Sequence, residues 1–493
     1  MPDATVELPG RPERPGADRA GLRRAVSLLL ATLVVPGLAQ WLVGNRRLGR
    51  IAIRCWLVLI GLLVVLGILA AVRPGAFVAL ASNGVVLTIA RVLCVLLAIA
   101  WFALFVDAWR LGRPMGLAGP HRITSTVLAG VLSVVTVAGL LLSSHYIAVA
   151  NASFGTIFAG TTTRDAAAGR YNVLLLGGDA GADRYGLRPD SITLASIDAQ
   201  TGATVLFSLP RNLQRIPFTP GSVMAEHFPN GFSCGDLCLL NAVNSWGNTH
   251  AKYWPAGVNA GLDATRSAVE QITGLPVSYY ALVDMRGFAD LINAVGGIDV
   301  TVKQALPIGP KDKPTAWITA GAHHLNGNQA LWYARSRATT SDYDRMARQK
   351  CVMAAMLHQL DPSTVLTQFT GIARAGQQIV STDVPAGQAG RFLDLARAAR
   401  TQKIRSVSFV PPLIVTAHPD YALIRSKVAT AIAASERGGA KAAKAIPTTA
   451  ASATPSPAPA SRVISSVKPR AGTTFPGAAP AVSADLGAVC SAG

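Results

Sequence analysis

The sequence predicts an α/β domain preceded by an all-α membrane region. From about residue 165 to residue 435, short apolar runs alternate with stretches of helical periodicity, which is the pattern of an α/β fold. Before residue 150, the apolar residues form much longer runs. The chain of 493 residues is 50% hydrophobic and only 14% charged, which is too apolar for a soluble protein of this length.

Four apolar runs make up the predicted membrane region, residues 23–150; they are 24–44, 51–72, 76–109 and 123–149. A helix needs about 20 apolar residues to cross about 30 Å of hydrocarbon, and the last three runs exceed that length. The first run contains Pro36 and has basic residues on both sides, so we interpret it as a re-entrant or interfacial segment. This gives three spans; four spans with the N-terminus outside the cytoplasm are the alternative.

Arginines mark the cytoplasmic side of the predicted spans. They lie at the start of the second and the last run: Arg46, Arg47, Arg50, Arg54, Arg110, Arg113 and Arg122. Basic loops stay in the cytoplasm, so everything after residue 150 is expected to be extracytoplasmic. The formal net charge of +19 would otherwise indicate a nucleic-acid partner. No helix-turn-helix, zinc or RNA-binding signature accompanies the charge. The predicted partner of the basic residues is therefore a membrane and not a nucleic acid.

The two ends of the chain differ from both regions. Residues 1–22 are polar and contain Pro, Gly and Arg, and we expect a disordered cytoplasmic arm. Residues 437–493 are rich in Ala, Pro, Ser and Thr. That composition cannot bury a core, so we expect a disordered, flexible tail.

Six cysteines are present, and two of them lie close together. Cys234 and Cys238 belong to the stretch SCGDLC, and a bridge between them can form if this region is extracytoplasmic. Free thiols, or pairing with Cys351 or Cys490, are the alternatives, because connectivity cannot be read from a sequence. No pair has the C-x-x-C spacing, so a structural zinc site is not expected.

Acidic side chains stand at the ends of two apolar runs in VLLLGGDAGADRYGLRPDSITLASID. Asp179 follows the first strand candidate and Asp190 precedes the second, while the third candidate leads to Arg211. If the three strands form an antiparallel meander, the end of the first, the start of the second and the end of the third share one edge. The strand candidates are residues 171–176, 191–198 and 204–208.

The meander would bring Asp179, Asp190 and Arg211 together, with Arg188 in reach of the same edge. Two converging carboxylates repel each other unless a cation lies between them. Oxygen ligands without nearby His or Cys favour Mg²⁺ or Mn²⁺. The sequence therefore predicts a divalent-metal site formed by Asp179 and Asp190. The alternative is that both aspartates cap turns, as Asp often does.

A second stretch, ALWYARSRATTSDYDRMARQK, carries four arginines: Arg335, Arg337, Arg345 and Arg348. The first two share a face if the segment is extended, and the last two share a helix face. Guanidinium groups bind phosphate bidentately and stay charged, so the stretch predicts a diphosphate site to which Gln349 adds a hydrogen bond. A solvated basic surface, or ion pairs with Asp342 and Asp344, are the alternatives.

The two stretches together indicate a class of chemistry. Carboxylates that can hold a divalent cation, combined with guanidinium groups, suit a diphosphate. Because a membrane region lies upstream, we predict a membrane-tethered enzyme that acts on a phosphorylated lipid. Serine hydrolase chemistry is not supported, since no Ser, His and Asp follow a recognisable triad order.

Six blocks of sequence, in this order, resemble the LytR–CpsA–Psr family: VLLLGGD, RPDSITLASID, SLPRN, LVDMRGFADLINAVGGIDV, HLNGNQALWYARSR and DYDRMARQ. The resemblance covers roughly residues 170–360. It implies an extracytoplasmic α/β/α sandwich with a central mixed sheet, spanning residues 165–435, and an apolar pocket for a polyprenyl chain. It also implies an enzyme that moves a glycopolymer from a polyprenyl-diphosphate carrier to peptidoglycan, typically to the C6 hydroxyl of N-acetylmuramic acid.

The resemblance also implies roles for single residues. Asp179 and Asp190 resemble the family's metal-binding aspartates, and they form the expected catalytic set together with Arg211 and Arg345. The expected diphosphate contacts are Arg188, Arg211, Arg335, Arg337, Arg345, Arg348 and Gln349. The sequence departs from the family pattern at three positions, Gly178, Pro189 and Asn212. Asn212 replaces the usual Asp, which weakens any assignment of a general base at that position.

The expected reaction is phosphoryl transfer to a sugar hydroxyl with release of polyprenyl phosphate, driven by cleavage of the phosphoanhydride. One alternative is a polyprenyl diphosphatase, in which water takes the place of the sugar hydroxyl. Another is a non-enzymatic envelope regulator or a lipid-binding scaffold for wall assembly.

Overall fold

The computed structural model describes residues 15–158, 160, 162–179, 188–310, 312–359, 361, 380–443, 484–485 and 490. The chain divides into two compact units, Met1–Ala152 and Ser153–Gly493. The predicted boundaries of the catalytic domain, residues 165 and 435, both fall inside the second unit.

The first unit is helical. Its helices are α1 (Pro15–Val34), α2 (Leu38–Val43), α3 (Arg46–Val72), α4 (Pro74–Ala81), α5 (Gly84–Leu111) and α6 (Gly119–Ile157), the last of which continues into the second unit. Among the described residues, three helices are long and apolar enough to cross a membrane: Arg46–Val72, Gly84–Gly116 and Gly119–Val149. The number agrees with the three spans predicted from the sequence.

The first apolar run is broken where the sequence places Pro36. Helix α1 ends at Val34 and α2 begins at Leu38, and Gly37 between them has a φ of 97°, a conformation that favours glycine. Large apolar side chains of α3, such as Val58 and Val65, are exposed on the surface of this unit. Such a surface suits hydrocarbon rather than water.

Two expectations about this unit need correction. Helix α1 begins at Pro15, inside the arm predicted to be disordered, because Ala, Leu and Arg in this stretch favour a helix. The third apolar run, residues 76–109, is divided between α4 and α5, because Asn83 caps the start of α5 through hydrogen bonds from Val85 N and Val86 N.

The second unit is built on a mixed sheet of seven strands in the order β11-β10-β3-β2-β1-β4-β9. The pairs β1–β2 and β2–β3 are antiparallel, which confirms the predicted meander, whereas β1–β4 and β3–β10 are parallel. The strands are β1 (Arg170–Asp179), β2 (Arg188–Asp198), β3 (Thr204–Leu209), β4 (Tyr279–Asp284), β9 (Val380–Thr382), β10 (Arg405–Ser408) and β11 (Ala484–Asp485).

Four further strands form two small antiparallel sheets, β5 with β8 and β6 with β7. They are β5 (Ile298–Val302), β6 (Leu306–Ile308), β7 (Ala316–Ile318) and β8 (Gly321–Leu325). The helices of this unit are α7 (Val223–His227), α8 (Leu240–Thr249), α9 (Ala260–Thr273), α10 (Met285–Ala294), α11 (Gly327–Arg335), α12 (Asp342–Gln359), α13 (Ala389–Arg400) and α14 (Tyr421–Ala443).

Helices pack on both faces of the large sheet because successive side chains of a strand point to opposite faces. Leu174 and Leu176 of β1 belong to a core that also contains residues of α8, α9 and α14. Leu175, between them, packs with Ala354 of α12 on the other face. The unit therefore has the predicted α/β class with a central mixed sheet.

The C-terminal part is more structured than its composition predicts. Helix α14 continues to Ala443, because Ala, Glu, Arg and Lys are good helix formers, and β11 pairs with β10. Cys490 forms a disulfide with Cys351 of α12, and Cys234 forms the local disulfide with Cys238. The remainder of the predicted tail lies outside the described residues.

Candidate active site

Asp190 occupies a β-bulge at the start of β2. Gly177 of β1 pairs with Ser191 and Gly178 pairs with Pro189, so Asp190 is an extra residue without a partner in the ladder. A bulge of this kind turns a side chain away from the regular alternation. Asp190 remains 38% exposed at this end of the sheet, where β1 also ends.

Arg211 approaches Asp190 from the neighbouring strand. Strand β3 ends at Leu209, and Pro210 has no N–H with which to continue the ladder, so the chain turns and Arg211 stands beside the bulge. Arg211 Nη1 donates to Asp190 Oδ1 at 2.5 Å. The predicted meeting of these two residues is observed, and it is a charge-assisted contact.

Asp342, the first residue of α12, is the common partner of three arginines. Its carboxylate lies 3.1 Å from Arg345 Nη2, 3.3 Å from Arg337 Nη1 and 3.9 Å from Arg211 Nε. The sequence offered Asp342 only as an alternative ion-pair partner of the arginines. Its spacing of three residues from Arg345 on a helix was the available signal. The other proposed partner, Asp344, instead accepts hydrogen bonds from Ser341.

Arg345 joins the two sequence motifs. Its side chain is 2% exposed, and its Nη2 donates to the backbone oxygen of Asp190 at 3.2 Å as well as to Asp342. Burial lowers the pKa of Arg345, while the charges of Asp342 and Asp190 oppose this effect. An arginine keeps its proton in proteins, so Arg345 is a buried cation. Among the described residues, its Nε has no acceptor.

Arg348 is directed at the backbone rather than at the cavity. Its Nε donates to Tyr333 O at 2.7 Å, its Nη1 donates to Thr340 Oγ1 at 3.1 Å, and its Nη2 donates to Ser336 O. These contacts occupy all three nitrogen atoms of the guanidinium group. Arg348 therefore fixes the connection between α11 and α12, which carries Arg335 and Arg337.

The remaining predicted residues take different positions. Arg335 is the last residue of α11, so its segment is helical and not extended. Its guanidinium group lies 4.9 Å from the ring centroid of Trp332. Gln349 Nε2 donates to Ala334 O at 3.3 Å. Arg188 is exposed at the start of β2. The side chain of Asp179 lies outside the described part, although its backbone pairs with Arg188.

A cavity of about 650 Å³ opens beside these side chains. The rest of its lining is largely apolar, and we call its charged and amide residues its polar end: Asp190, Asp284, Arg335, Arg337, Arg345 and Gln349. A second apolar cavity of about 510 Å³ lies between the sheet and helices α12 and α13. The two cavities share four lining residues: Leu175, Ala281, Met353 and Met356. The two cavities therefore adjoin along these four apolar residues.

The described ligand candidate at the bulge, Asp190, offers only oxygen donors. In the described part of the chain, no three His, Cys, Asp or Glu residues cluster as a metal site. Asp190 remains accessible, and the strand ends of Asp179 and Asp190 adjoin each other in the register. Carboxylate oxygens without nitrogen or sulfur ligands fit Mg²⁺ or Mn²⁺. Arg211 already neutralises one oxygen of Asp190 in this structure.

A largely apolar cavity that is also lined by guanidinium groups suits an amphiphile with an anionic head group. The LytR_cpsA_psr family model matches residues 148–413. The match covers more than half of the chain, so the protein belongs to this family, and the resemblance seen in the sequence motifs is confirmed.

Several curated proteins are similar to this chain. The polyisoprenyl-teichoic acid–peptidoglycan teichoic acid transferase TagV of Bacillus subtilis is 28% identical over 205 residues, which are 40% of this chain and 45% of TagV. The probable cell wall biosynthesis protein LcpB of Corynebacterium glutamicum is 28% identical over 312 residues, which are 61% of this chain and 66% of LcpB. The chain thus spans between about half and two thirds of these relatives.

Solved structures are also similar to this chain. The crystal structure of B. subtilis TagV matches with a TM-score of 0.40 and 24% identity, covering 54% of this chain and 96% of that one. The LytR-CPS2A-psr family protein YwtF (TagT) with bound octaprenyl pyrophosphate lipid matches with a TM-score of 0.36 and 19% identity, covering 56% and 94%.

Proposed function

We propose that the second unit is a phosphotransferase that attaches a polyprenyl-diphosphate-linked glycopolymer to peptidoglycan and releases polyprenyl phosphate. The acceptor in this proposal is the C6 hydroxyl of N-acetylmuramic acid. One observation carries the proposal: Arg335, Arg337 and Arg345 all line one large and mainly apolar cavity. A prenyl diphosphate has the complementary form, an anionic head on an apolar chain. The naming of TagV as a teichoic acid transferase agrees with it.

The arginines have separate roles in the proposed reaction. Arg335, Arg337 and Arg345 bind the diphosphate and neutralise the charge that moves to the leaving polyprenyl phosphate. Arg211 holds the carboxylate of Asp190 in place, and Arg348 acts only through the backbone that carries Arg335 and Arg337. Positioning and electrostatics supply most of the rate, because phosphoryl transfer needs little other covalent chemistry from the protein.

The bonds change at one phosphorus atom. The sugar hydroxyl oxygen forms a bond to the phosphorus joined to the glycan, and the bond from that phosphorus to the bridging oxygen breaks. The electron pair leaves with the polyprenyl phosphate, and the proton of the hydroxyl is released to solvent or taken up by the leaving phosphate. Asn212 is an amide that donates to Thr416 Oγ1 at 3.3 Å, so it is not the base.

The proposed metal site consists of Asp179 and Asp190. A bound Mg²⁺ or Mn²⁺ would supply positive charge to the diphosphate oxygens. The proposed location of the unit is extracytoplasmic, on the cell membrane. Its disulfides, Cys234–Cys238 and Cys351–Cys490, support this location, because disulfides persist in oxidising compartments. The three long apolar helices support a multi-pass membrane anchor.

The test uses the full-length protein in detergent with a lipid-diphosphate oligosaccharide, a peptidoglycan fragment and Mg²⁺. We expect transfer by the wild type and a loss of roughly 100-fold or more in Asp190→Ala and Arg345→Ala. Asp394→Ala, an exposed position on α13, is the matched control and should keep full activity. Undiminished transfer in both site variants would contradict the proposal.

The same assay separates the alternative functions. Release of polyprenyl phosphate and glycan phosphate at the same rate without the peptidoglycan fragment would identify a diphosphatase. Binding of the carrier without any phosphorus product would identify a scaffold or a regulator.

A further inference from the structure

Lys350 is a partly buried cation to which the proposed reaction assigns no role. It follows Gln349 on α12, and its Nζ donates to Ser408 Oγ of β10. An ammonium group has three N–H donors, and in the described part of the chain Lys350 has this one protein acceptor. Within the same part, no carboxylate lies at ion-pair distance from it.

Other buried cations of this unit are better satisfied. Arg170 donates to Ser196 and Ala203 and lies 3.7 Å from Asp198. Arg345 contacts two aspartates, and Arg348 has three oxygen acceptors. Removing a charge from water without a directly bonded counter-charge is costly, so an additional anion near the ammonium group of Lys350 would be favourable.

Three hydroxyl groups on adjacent strands lie beneath Lys350. Thr193 of β2 pairs with Ser208 of β3, and Ser208 pairs with Ser408 of β10, so all three stand at one level of the sheet. All three are buried, and Thr193 Oγ1 lies 3.5 Å from Ser208 Oγ. They form a polar strip that runs from Lys350 to Thr193, which lines the large cavity.

A small cavity adjoins both Lys350 and the polar end of the large cavity. Its volume is about 10 Å³, which is room for one water molecule. Lys350 and Ser208 line it together with five residues that also line the large cavity: Asp190, Ser191, Thr193, Gln349 and Met353. The ammonium group therefore borders a water-sized gap that shares half of its lining with the large cavity.

We propose that Lys350 is an additional anion-binding residue, whose ammonium group acts on the bound diphosphate across this gap. Its charge adds to those of Arg335, Arg337 and Arg345 and is not cancelled by a carboxylate of its own. The identity of the anion rests on the proposed function, whereas the presence of an anion site at Lys350 does not.

The proposal makes binding depend on pH. Burial lowers the pKa of Lys350 to about 8. The neutral groups that face it are Met346, Met353, Ser208, Ser408 and Thr193, and the charged groups nearest the small cavity are Asp190 and Arg345. Lys350 is therefore mostly charged at about pH 7 and mostly neutral at about pH 9. A diphosphate should bind more weakly as the pH rises through this interval.

The test measures binding of farnesyl-diphosphoryl-N-acetylglucosamine to the full-length protein by calorimetry, at constant Mg²⁺. This probe has no group that titrates between about pH 7 and about pH 9, because each phosphate of a diphosphate diester carries a single strongly acidic proton. We expect the wild type to lose roughly fivefold in affinity over this interval. By linkage, the bound probe should raise the pKa of Lys350 by about one.

The Lys350→Met variant should bind the probe roughly tenfold more weakly than the wild type does at about pH 7. At about pH 9 its affinity should be close to that of the wild type. Lys350→Arg should keep its affinity at the higher pH, since an arginine stays charged. Lys427→Met, at an exposed position on α14, is the matched control and should behave as the wild type. Equal affinity and equal pH dependence in Lys350→Met and the wild type would overturn the proposal.

Melting temperature and glycan transfer are two further measurements that test this role of Lys350. A purely structural lysine would lower the melting temperature when replaced and leave the pH dependence of binding intact, whereas our proposal expects Lys350→Met to melt higher. Binding that depends on Lys350 without any transfer to peptidoglycan would contradict the proposed function and leave this anion site standing.

Discussion

Asp342 brings the arginines of the two sequence motifs together. It contacts Arg337 and Arg345 of its own motif and reaches Arg211, which follows β3. Asp342 and Asp190 thus neutralise part of a strongly cationic site before any substrate binds. A diphosphate can replace Asp342 as the partner of these guanidinium groups, because it offers more oxygen acceptors and a larger charge.

Arg345 should not tolerate replacement by lysine. Its fork contacts Asp190 O and Asp342 at the same time, and a lysine keeps the charge but not this geometry. We expect Arg345→Lys to lower the rate of transfer roughly 100-fold while the protein remains folded. Arg425→Lys, which lies on α14, is the matched control. Steady-state transfer kinetics together with circular dichroism check this, and a rate within about twofold of the wild type would disprove it.

The charge of Lys350 should lower the free energy of unfolding of the protein at about pH 7. Its pKa falls from 10.5 to about 8 on folding, so between these values the unfolded chain binds the proton and the folded chain does not. The free energy of unfolding should therefore rise with pH across this interval, by about 1–3 kcal/mol. Lys350→Met should lack this rise and should be more stable at about pH 7. Denaturant unfolding of both proteins at several pH values measures the effect, and identical profiles would contradict it.

Single-residue roles were predictable only where strand order decides them. The meeting of Asp190 and Arg211 follows from an antiparallel meander, since the strand ends must share an edge. The contacts of Asp342 and Lys350 depend on the distance between α12 and the sheet, and no local sequence pattern gives that distance. Arg348 was predicted as a diphosphate contact, but its nitrogen atoms bind backbone and hydroxyl oxygen atoms of the α11–α12 connection.

At the scale of elements, the connection between α11 and α12 depends on Arg348. Replacement by methionine would leave the carbonyl groups of Tyr333 and Ser336 without their donor. We expect Arg348→Met to cost about 2–4 kcal/mol of stability and to increase hydrogen exchange in residues 333–341. Exchange measured by mass spectrometry tests this, and unchanged protection of that segment would show that Arg348 does not hold the connection.

The disulfide that joins the C-terminal segment to α12 is a second feature that can be tested. The Cys351–Cys490 disulfide ties the end of the chain to α12, across a sequence separation of 139 residues. Peptide mapping without reduction should recover this pair and the Cys234–Cys238 pair. Replacing both Cys351 and Cys490 by serine should cost about 2–4 kcal/mol of stability. Free thiols at Cys351 and Cys490 in protein isolated from the membrane would contradict the assignment.

Element types followed from local patterns more reliably than element ends did. The apolar runs gave β1, β2 and β3, because their spacing and turn residues are local signals. The extent of the tail was wrong, since β11 pairs with β10 and Cys490 bonds to Cys351, and such distant partners leave no trace in composition. Arg335 lies in helix α11 and not in the extended segment that was considered from the sequence. The helix forms because Asn326 and Gln329 make a capping box at its start.

At the scale of the whole second unit, we expect the two adjoining cavities to set the length of the carrier in the proposed reaction. Ala396 of α13 lines the second cavity and not the first. Ala396→Trp should fill that cavity and lower the rate with an undecaprenyl carrier by roughly tenfold or more, since about 1.4 kcal/mol of lost apolar burial corresponds to tenfold. The rate with a farnesyl carrier should not change. Ala429→Trp, an exposed position on α14, is the control, and equal losses with both carriers would contradict this expectation.

The class of the molecule was predictable from its sequence, because the motifs and the apolar runs lie in the order of one family. The volumes and the adjoining positions of the two cavities were not, since they depend on how α12 and α13 stand above the sheet. The described residues at the predicted site are the carboxylate of Asp190 and the three arginines that line the larger cavity.

The bond pattern of the product tests the central claim most directly. Full-length protein is incubated with an undecaprenyl-diphosphate oligosaccharide and peptidoglycan, and the products are identified by mass spectrometry and phosphorus NMR. The account predicts a phosphodiester between the glycan and muramic acid, with one polyprenyl monophosphate released for each glycan attached. A glycan joined to peptidoglycan without phosphorus, with the carrier released as a diphosphate, would contradict it.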